Sequence, residues 1–210
     1  MRPVLSSCLL ALLLVPPVTT ADEIIDRVLA VAAGNLIMLS DVRAALEFGL
    51  VSPGSAPDPV REVLSRLVDR ALVLAEVDRY APPEPSAVAV DHAVQAVRLR
   101  FSTPEAFAAA LARVGMGDKY LRETLRGDLR IRAYLDQRFT VVAPTDDDLG
   151  RYYRDHPEAF TRNGRLIPFD EARQDVAQAV VADRRRALVD EWMAGLHRRA
   201  EIADLYVPAR

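Results

Sequence analysis

The segment Val28–Val42 constrains the fold most, because its pattern changes there from strand to helix. It contains two short apolar runs, Val28–Ala32 and Leu36–Leu39. Gly34 and Asn35 lie between them and adopt positive φ at low cost, which predicts a tight hairpin turn. Ser40 and Asp41 then supply a helix cap. A two-stranded hairpin is marginal by itself in water, so another element must cover or extend it.

The other end of the chain supplies a candidate for that element. Ala200–Val207 is a short β-prone run that follows a long helical pattern. The chain has only 9 Gly and is rich in Ala, Leu, Val and Arg, which favours helices over an all-β fold. We therefore expect a mainly α protein with a small sheet. In it the hairpin is joined by the C-terminal strand, and the long C-terminal helix packs back on the N-terminal lobe.

Apolar residues at helical spacing predict helices along the whole chain after the hairpin. The expected helices are Ser40–Leu50, Val60–Tyr80, Ser86–Phe101, Pro104–Val114, Lys119–Phe139, Thr145–Phe160 and Phe169–Ala200. The last is the longest, and its apolar stripe is expected to run through Val176, Val180, Leu188, Trp192 and Leu196. Thr161–Ile167 reads as a short loop between the last two helices.

Residues 1–21 have the pattern of a cleavable export signal. Arg2 supplies a positive charge, Val4–Val15 is largely apolar, and small residues end at Ala21. The apolar run is shorter than the ~18–20 residues that a membrane-spanning helix needs. We expect cleavage after Ala21, with an uncleaved anchor as the alternative. The only cysteine, Cys8, would leave with the signal, so the mature chain would contain no disulfide.

The composition and motifs argue against several functional classes. A formal net charge of −3 supplies no basic field for nucleic acid. The sequence contains no phosphate-binding loop, no G-x-S-x-G and no H-E-x-x-H motif, and its three histidines are far apart. Thr145–Asp148 could suggest a metal site, but a threonine cap followed by first-turn acids explains these residues. We therefore expect no enzymatic activity, no metal and no cofactor.

Several segments together resemble SurA-type periplasmic chaperones. The hairpin leading into Leu39-Ser-Asp-Val42 is similar to the N-terminal signature of that family. The resemblance continues in the order expected of the family through four further segments: Leu64–Ala75, Tyr152–Phe160, Pro168–Val176 and the terminal run Ile202–Val207. It covers nearly all of residues 22–210, which would form one chaperone domain with an N-terminal lobe at 22–160 and a C-terminal helix and strand at 168–210.

The chain departs from the family at one position. Relatives that carry a parvulin prolyl isomerase domain have it between the segments that correspond to Tyr152–Phe160 and Pro168–Val176. Here only the short segment 161–167 lies between them, so an isomerase site has no positions to map onto. The resemblance thus implies a periplasmic, ATP-independent holdase for unfolded outer-membrane or secreted proteins, without prolyl isomerase activity.

Binding of unfolded chains requires exposed apolar or aromatic side chains framed by charge. The candidates that the helical stripes do not need are Phe48, Leu50, Met116, Tyr152, Tyr153 and Phe160. For each of them, a contact in the core is the competing interpretation. Two other functions stay open: a structural module dedicated to one envelope protein complex, and an enzyme that uses the acids of Thr145–Asp148.

Overall fold

The computed structural model describes residues 26–208. The expected signal peptide and its cleavage site lie outside these residues. The helices are α1 (Leu39–Glu47), α2 (Pro59–Tyr80), α3 (Ala87–Arg98), α4 (Pro104–Arg113), α5 (Asp118–Arg138), α6 (Asp146–Asp155) and α7 (Phe169–Arg199). The strands are β1 (Val28–Ala32), β2 (Asn35–Met38), β3 (Thr161–Arg162), β4 (Arg165–Leu166) and β5 (Ile202–Asp204).

The two chain ends meet in one antiparallel sheet, as the sequence predicts. Its strand order is β2-β1-β5, so the C-terminal strand lies beside the first strand of the hairpin. The Leu205 N–H continues this pairing and donates to the Leu29 carbonyl at 2.9 Å. Beyond β5, the Tyr206 hydroxyl donates to Asp58, the N-cap residue of α2, at 2.9 Å. The mainly helical fold with a small terminal sheet is confirmed.

The turn of the hairpin lies one residue earlier than Gly34-Asn35. Its two central residues are Ala33, with φ 49°, and Gly34, with φ 77°. Asn35 is the first residue of β2 and pairs with Ala32, while its side-chain amide donates to the Ala33 carbonyl at 3.1 Å. Asn35 therefore stabilises the turn from its position in β2. Ala33 takes a positive-φ position of the kind expected for Asn35.

Capping residues fix most helix starts, and two ends differ from expectation. Helix α1 begins at Leu39, because Asp41 accepts a hydrogen bond from the Met38 N–H at 2.8 Å and so acts from inside the helix. Helix α6 ends at Asp155, well before Phe160, because Pro157 cannot continue it and a 3₁₀ turn, Pro157–Phe160, follows. The segment expected to be a loop at 161–167 contains the small hairpin β3–β4.

Three apolar clusters hold the described chain together. The main core joins the sheet to α1, α2, α5 and the C-terminal half of α7. A second, helical core lies between α1, α3, α4 and α5. The third, which we call the α6 core, joins α6 and the 3₁₀ turn to the N-terminal half of α7. Helix α7 is therefore the element shared by the main core and the α6 core.

The apolar stripe of α7 is interrupted, contrary to the sequence prediction. Val176 and Val180 are buried in the α6 core, and Leu196 is buried in the main core. Leu188, expected on the same stripe, is 45 % exposed. The helix changes packing partners along its length, so the residues between its two contacts need not be buried.

Candidate functional site

An open groove of about 810 Å³ lies over one face of α2. Five elements line it: β2, α1, α2, α5 and the C-terminal half of α7. The apolar residues of its lining are Leu36, Ile37, Ala44, Ala45, Leu50, Val51, Leu67, Ala71, Val73, Leu74, Ile131, Leu135, Val189 and Met193. A space of this size, with this lining, accommodates several side chains of another polypeptide.

The floor of the groove is a second apolar face of α2. Leu64, Val68 and Leu72 are buried in the main core. Leu67, Ala71 and Leu74 follow at spacings of four and three, so they share a neighbouring face, and they are only partly buried. Helix α2 thus carries more apolar surface than its own core covers.

Ion pairs link the helices that form the walls of the groove. Arg70 on the floor pairs with Asp128 of α5 at 2.7 Å and donates to the Thr124 carbonyl at 2.8 Å. Arg185 of α7 pairs with Asp136 of α5, which ties the two walls on that side together. These contacts connect α2 to α5 and α5 to α7 along the groove.

A tyrosine links α1 to α5 at the rim of the groove. The Tyr120 hydroxyl of α5 donates to the Asp41 carboxylate near the start of α1. Burial of the hydroxyl, together with its bond to this carboxylate, raises the pKa of Tyr120 well above its usual value. Tyr120 is therefore a permanent hydrogen-bond donor at physiological pH and not a group that titrates there.

The charges around the groove nearly balance. Its lining includes four arginines, namely Arg66, Arg70, Arg132 and Arg185, and five aspartates, namely Asp41, Asp69, Asp128, Asp136 and Asp190. Several of these side chains are already paired with one another. Such a rim keeps an apolar surface soluble without selecting strongly for an acidic or a basic ligand.

Of the six residues that the sequence nominated for client contact, only Leu50 lines this groove. Phe48 is 1 % exposed and packs between Phe101 and Phe107, at ring-centroid distances of 5.9 and 6.0 Å. Phe160 is 5 % exposed in the α6 core. Both phenylalanines are therefore interior residues in this structure, because they lie where chain segments turn back onto helices.

The remaining three nominated residues are partly buried and engaged. The Tyr152 hydroxyl donates to Asp183 at 2.6 Å, and the Tyr153 hydroxyl donates to the Ile167 carbonyl at 2.6 Å. Met116 packs against the helical core. None of these three lines the groove, so the structure does not bring the six candidates together at one surface.

The face of α2 that forms the floor was the residue set that sequence reasoning missed. Helical spacing alone puts Leu67 and Ala71 on one apolar stripe with Val68 and Leu72. The available signal was the number of apolar positions on α2, which exceeds what one stripe requires.

Thr145–Asp148 forms a helix cap, as the sequence predicts. The Asp148 N–H donates to the Thr145 hydroxyl at 3.2 Å, and the Asp148 carboxylate accepts from the Thr145 N–H at 3.0 Å. Asp148 also pairs with Arg184 of α7 at 2.8 Å. The Arg184 guanidinium, followed by these capping bonds, holds the pKa of Asp148 far below its usual range.

No group of three or more His, Cys, Asp or Glu side chains within residues 26–208 is arranged to hold a metal ion. The same residues include no helix long and apolar enough to cross a bilayer. Comparison of the chain with protein-family models and with curated proteins found no match.

Proposed function

We propose that this protein is an ATP-independent chaperone that holds unfolded outer-membrane or secreted polypeptides in the periplasm. The observation that carries the proposal is the groove over α2, with its partly exposed apolar floor and its balanced charged rim. A surface of this kind binds apolar segments through many small contacts and does not require one particular sequence. The resemblance of the sequence to SurA-type chaperones supports the same function.

The open form of the groove also suits a holdase. The Arg70–Asp128 and Arg185–Asp136 pairs connect the helices around it, and its floor is partly exposed in this structure. Binding then needs no nucleotide-driven opening step. The signal peptide expected at residues 1–21 supports an exported protein that meets such clients.

The segment 161–167 supports a chaperone without a prolyl isomerase domain. It consists of β3, β4 and a turn at Asn163 and Gly164, whose φ angles are 52° and 73°. This compact connection takes the place where the resemblance would put an isomerase. We therefore propose that the protein does not accelerate prolyl isomerisation.

The proposal is tested by adding the purified chain 22–210 to a diluted, unfolded outer-membrane β-barrel protein without ATP. We expect near-equimolar protein to suppress light scattering by the barrel protein and to have no effect on the folded barrel. Leu67→Glu places a charge on the floor, and we expect it to weaken suppression about tenfold or more. Leu188→Glu makes the same change at an exposed site of α7 that lies outside the groove, and should leave suppression unchanged.

Failure to suppress aggregation of several unrelated clients would overturn the chaperone proposal. A single tight, saturable complex with one folded envelope protein would instead support the dedicated structural module. Equal effects of Leu67→Glu and Leu188→Glu would show that clients bind elsewhere on the surface.

A further inference from the structure

Within residues 26–208, one strand edge that borders the groove has no partner strand. Strand β2 is the outer strand of the sheet β2-β1-β5, and its residues Asn35, Leu36 and Ile37 all belong to the lining of the groove. Ile37 is 5 % exposed and packs into the main core, whereas Leu36 is 61 % exposed. An unpaired edge of this kind presents backbone groups to any polypeptide that lies beside it.

The register of the hairpin shows which backbone groups are free. The turn has two residues, so Ala32 and Asn35 exchange hydrogen bonds and the next pair, Val31 and Leu36, does not. The Leu29 carbonyl accepts a hydrogen bond from the Leu205 N–H, just after β5. Leu29 and Val31 are two residues apart in β1, so the backbone N–H and carbonyl groups of both point toward β5 and away from β2. The N–H and the carbonyl of Leu36 therefore point away from β1, toward the free edge.

The free edge is short, because the chain on either side of Leu36 is occupied. On one side lies the turn. On the other, the Met38 N–H is bonded to the Asp41 carboxylate at 2.8 Å, and α1 begins at the next residue. The edge thus offers one donor and one acceptor to a ligand, both from Leu36.

We propose that the groove receives an extended apolar polypeptide segment that adds as a strand to the edge of β2 at Leu36. This inference rests on the proposed function and specifies how the client binds. A partner strand presents a carbonyl and an N–H at the spacing that the two free groups of Leu36 require. Side chains on one face of the added strand would then lie over Leu67 and Ala71 of the floor.

The charge of the lining favours this occupant over a charged one. Four arginines face five aspartates, so neither an acidic tail nor a basic segment gains a net attraction. Backbone pairing is also independent of side-chain identity, which is what a protein that binds many unfolded chains requires.

The test compares two substitutions at one position. Leu36→Pro removes the free N–H but not a hydrogen bond of the β1–β2 ladder, because proline is tolerated at an outward-facing position of an edge strand. Leu36→Ala removes most of the apolar side chain and keeps the N–H. The probe is a fluorescein-labelled short peptide with Phe, Tyr or Val alternating with Ser or Thr, and its binding is followed by fluorescence anisotropy.

We expect Leu36→Pro to weaken binding of this peptide about tenfold, and Leu36→Ala to weaken it about threefold or less. A second peptide, N-methylated at every central residue, has no donors on either edge. It should bind the unsubstituted protein about tenfold more weakly than the parent peptide, because it cannot donate to the Leu36 carbonyl. The N-methylated peptide also tests the proposal without any change in the protein, should Leu36→Pro fail to fold.

Three outcomes would overturn strand addition. Equal affinity of both peptides for the unsubstituted protein would exclude backbone pairing, while a loss on Leu67→Glu would still support binding in the groove. Concentration-dependent dimerisation abolished by Leu36→Pro, with peptide affinity unchanged, would assign the edge to a second copy of this chain. Absence of peptide binding, together with absence of aggregation suppression, would overturn the proposed function itself.

Discussion

The two apolar regions that α7 joins differ in how completely they are closed. In the α6 core, Phe160 packs against Tyr152 and Tyr153 at ring-centroid distances of 6.2 and 5.6 Å, and both tyrosine hydroxyls are hydrogen-bonded. In the main core, α2 leaves Leu67 and Leu74 partly exposed in the groove. The α6 core is therefore covered by its own residues, whereas the main core leaves part of the apolar surface of α2 exposed in the groove.

The difference shows that aromatic content is a poor guide to binding surface in this chain. The tyrosines near α6 have polar tips that find partners within the fold, so their rings become structural. The groove is lined mainly by aliphatic side chains, which have no polar group to satisfy. They are partly exposed between helices that the Arg70–Asp128 and Arg185–Asp136 pairs connect.

The largest expected effect comes from removing the element that the two regions share. A chain that ends at Phe160 loses β5 from the sheet and loses Trp192, Met193 and Leu196 from the main core. We expect the fragment 22–160 to lose cooperative unfolding, because β1 would become an open edge above an uncovered core. Thermal unfolding followed by circular dichroism measures this. A sigmoidal transition in the fragment would show that the N-terminal lobe folds without α7.

A smaller effect separates the two regions by local stability. Phe160→Ala should cost about 3–5 kcal/mol in the α6 core, and Leu64→Ala should cost about 2–5 kcal/mol in the main core. Helix α6 packs chiefly on α7 and the 3₁₀ turn. We therefore expect Phe160→Ala to increase amide hydrogen exchange mainly in α6 and the N-terminal half of α7, and Leu64→Ala to increase it throughout. Uniform loss of protection in both variants would mean that the two regions unfold as one unit.

The same comparison explains how much of the molecule could be predicted from sequence. The meeting of the chain ends followed from the β-prone run at Ile202, since a lone hairpin needs a partner. The cap at Thr145 followed from local chemistry, and the structure confirms it. Signals that act within a few residues located these elements, although the hairpin turn and the start of α1 each lie one residue earlier than expected.

The groove could not be predicted in the same way, because the exposure of an apolar side chain depends on which helices do not pack against each other. Nothing near Leu67 in the sequence distinguishes it from Val68, yet one faces the groove and the other the core. The nomination of Phe48 and Phe160 failed for a related reason. Both lie off the helical stripes, but long-range packing buries them.

A further prediction sharpens the comparison through pH. The pKa of Asp148 is lowered in the folded state by Arg184 of α7 and by the Thr145 cap, whereas an unfolded aspartate titrates near ~3.9. The folded state therefore gains stability above that pH, and the gain is lost progressively as the pH falls below it. We expect Asp148→Asn to lower the free energy of unfolding at pH 7 and to reduce the acid dependence of α6 stability.

Asp147 provides the matched control for that measurement. It lies in the same first turn of α6, and within residues 26–208 it forms no ion pair. The free energy of unfolding of α6 is measured at several pH values from amide hydrogen exchange in denaturant. Its dependence on pH should change for Asp148→Asn and change little for Asp147→Asn. Equal slopes in the two variants would mean that the first-turn dipole, and not the α6–α7 pair, carries the effect.

The smallest expected effect compares the turns of the two hairpins. Both place two residues at positive φ, Ala33-Gly34 in the main sheet and Asn163-Gly164 near α6. Left-handed backbone costs an alanine roughly 1 kcal/mol, whereas asparagine adopts it more readily. Ala33→Asn should therefore raise the free energy of unfolding by about 1 kcal/mol, and Asn163→Ala should lower it by a similar amount. Denaturant midpoints measure both changes.

Because the second hairpin has only two residues in each strand, Asn163→Ala could open it without unfolding the chain. Ala33→Asn would then change the stability of the whole fold, and Asn163→Ala would change only the second hairpin. That result would show that the fold depends on the sheet of the chain ends and not on the connection near α6.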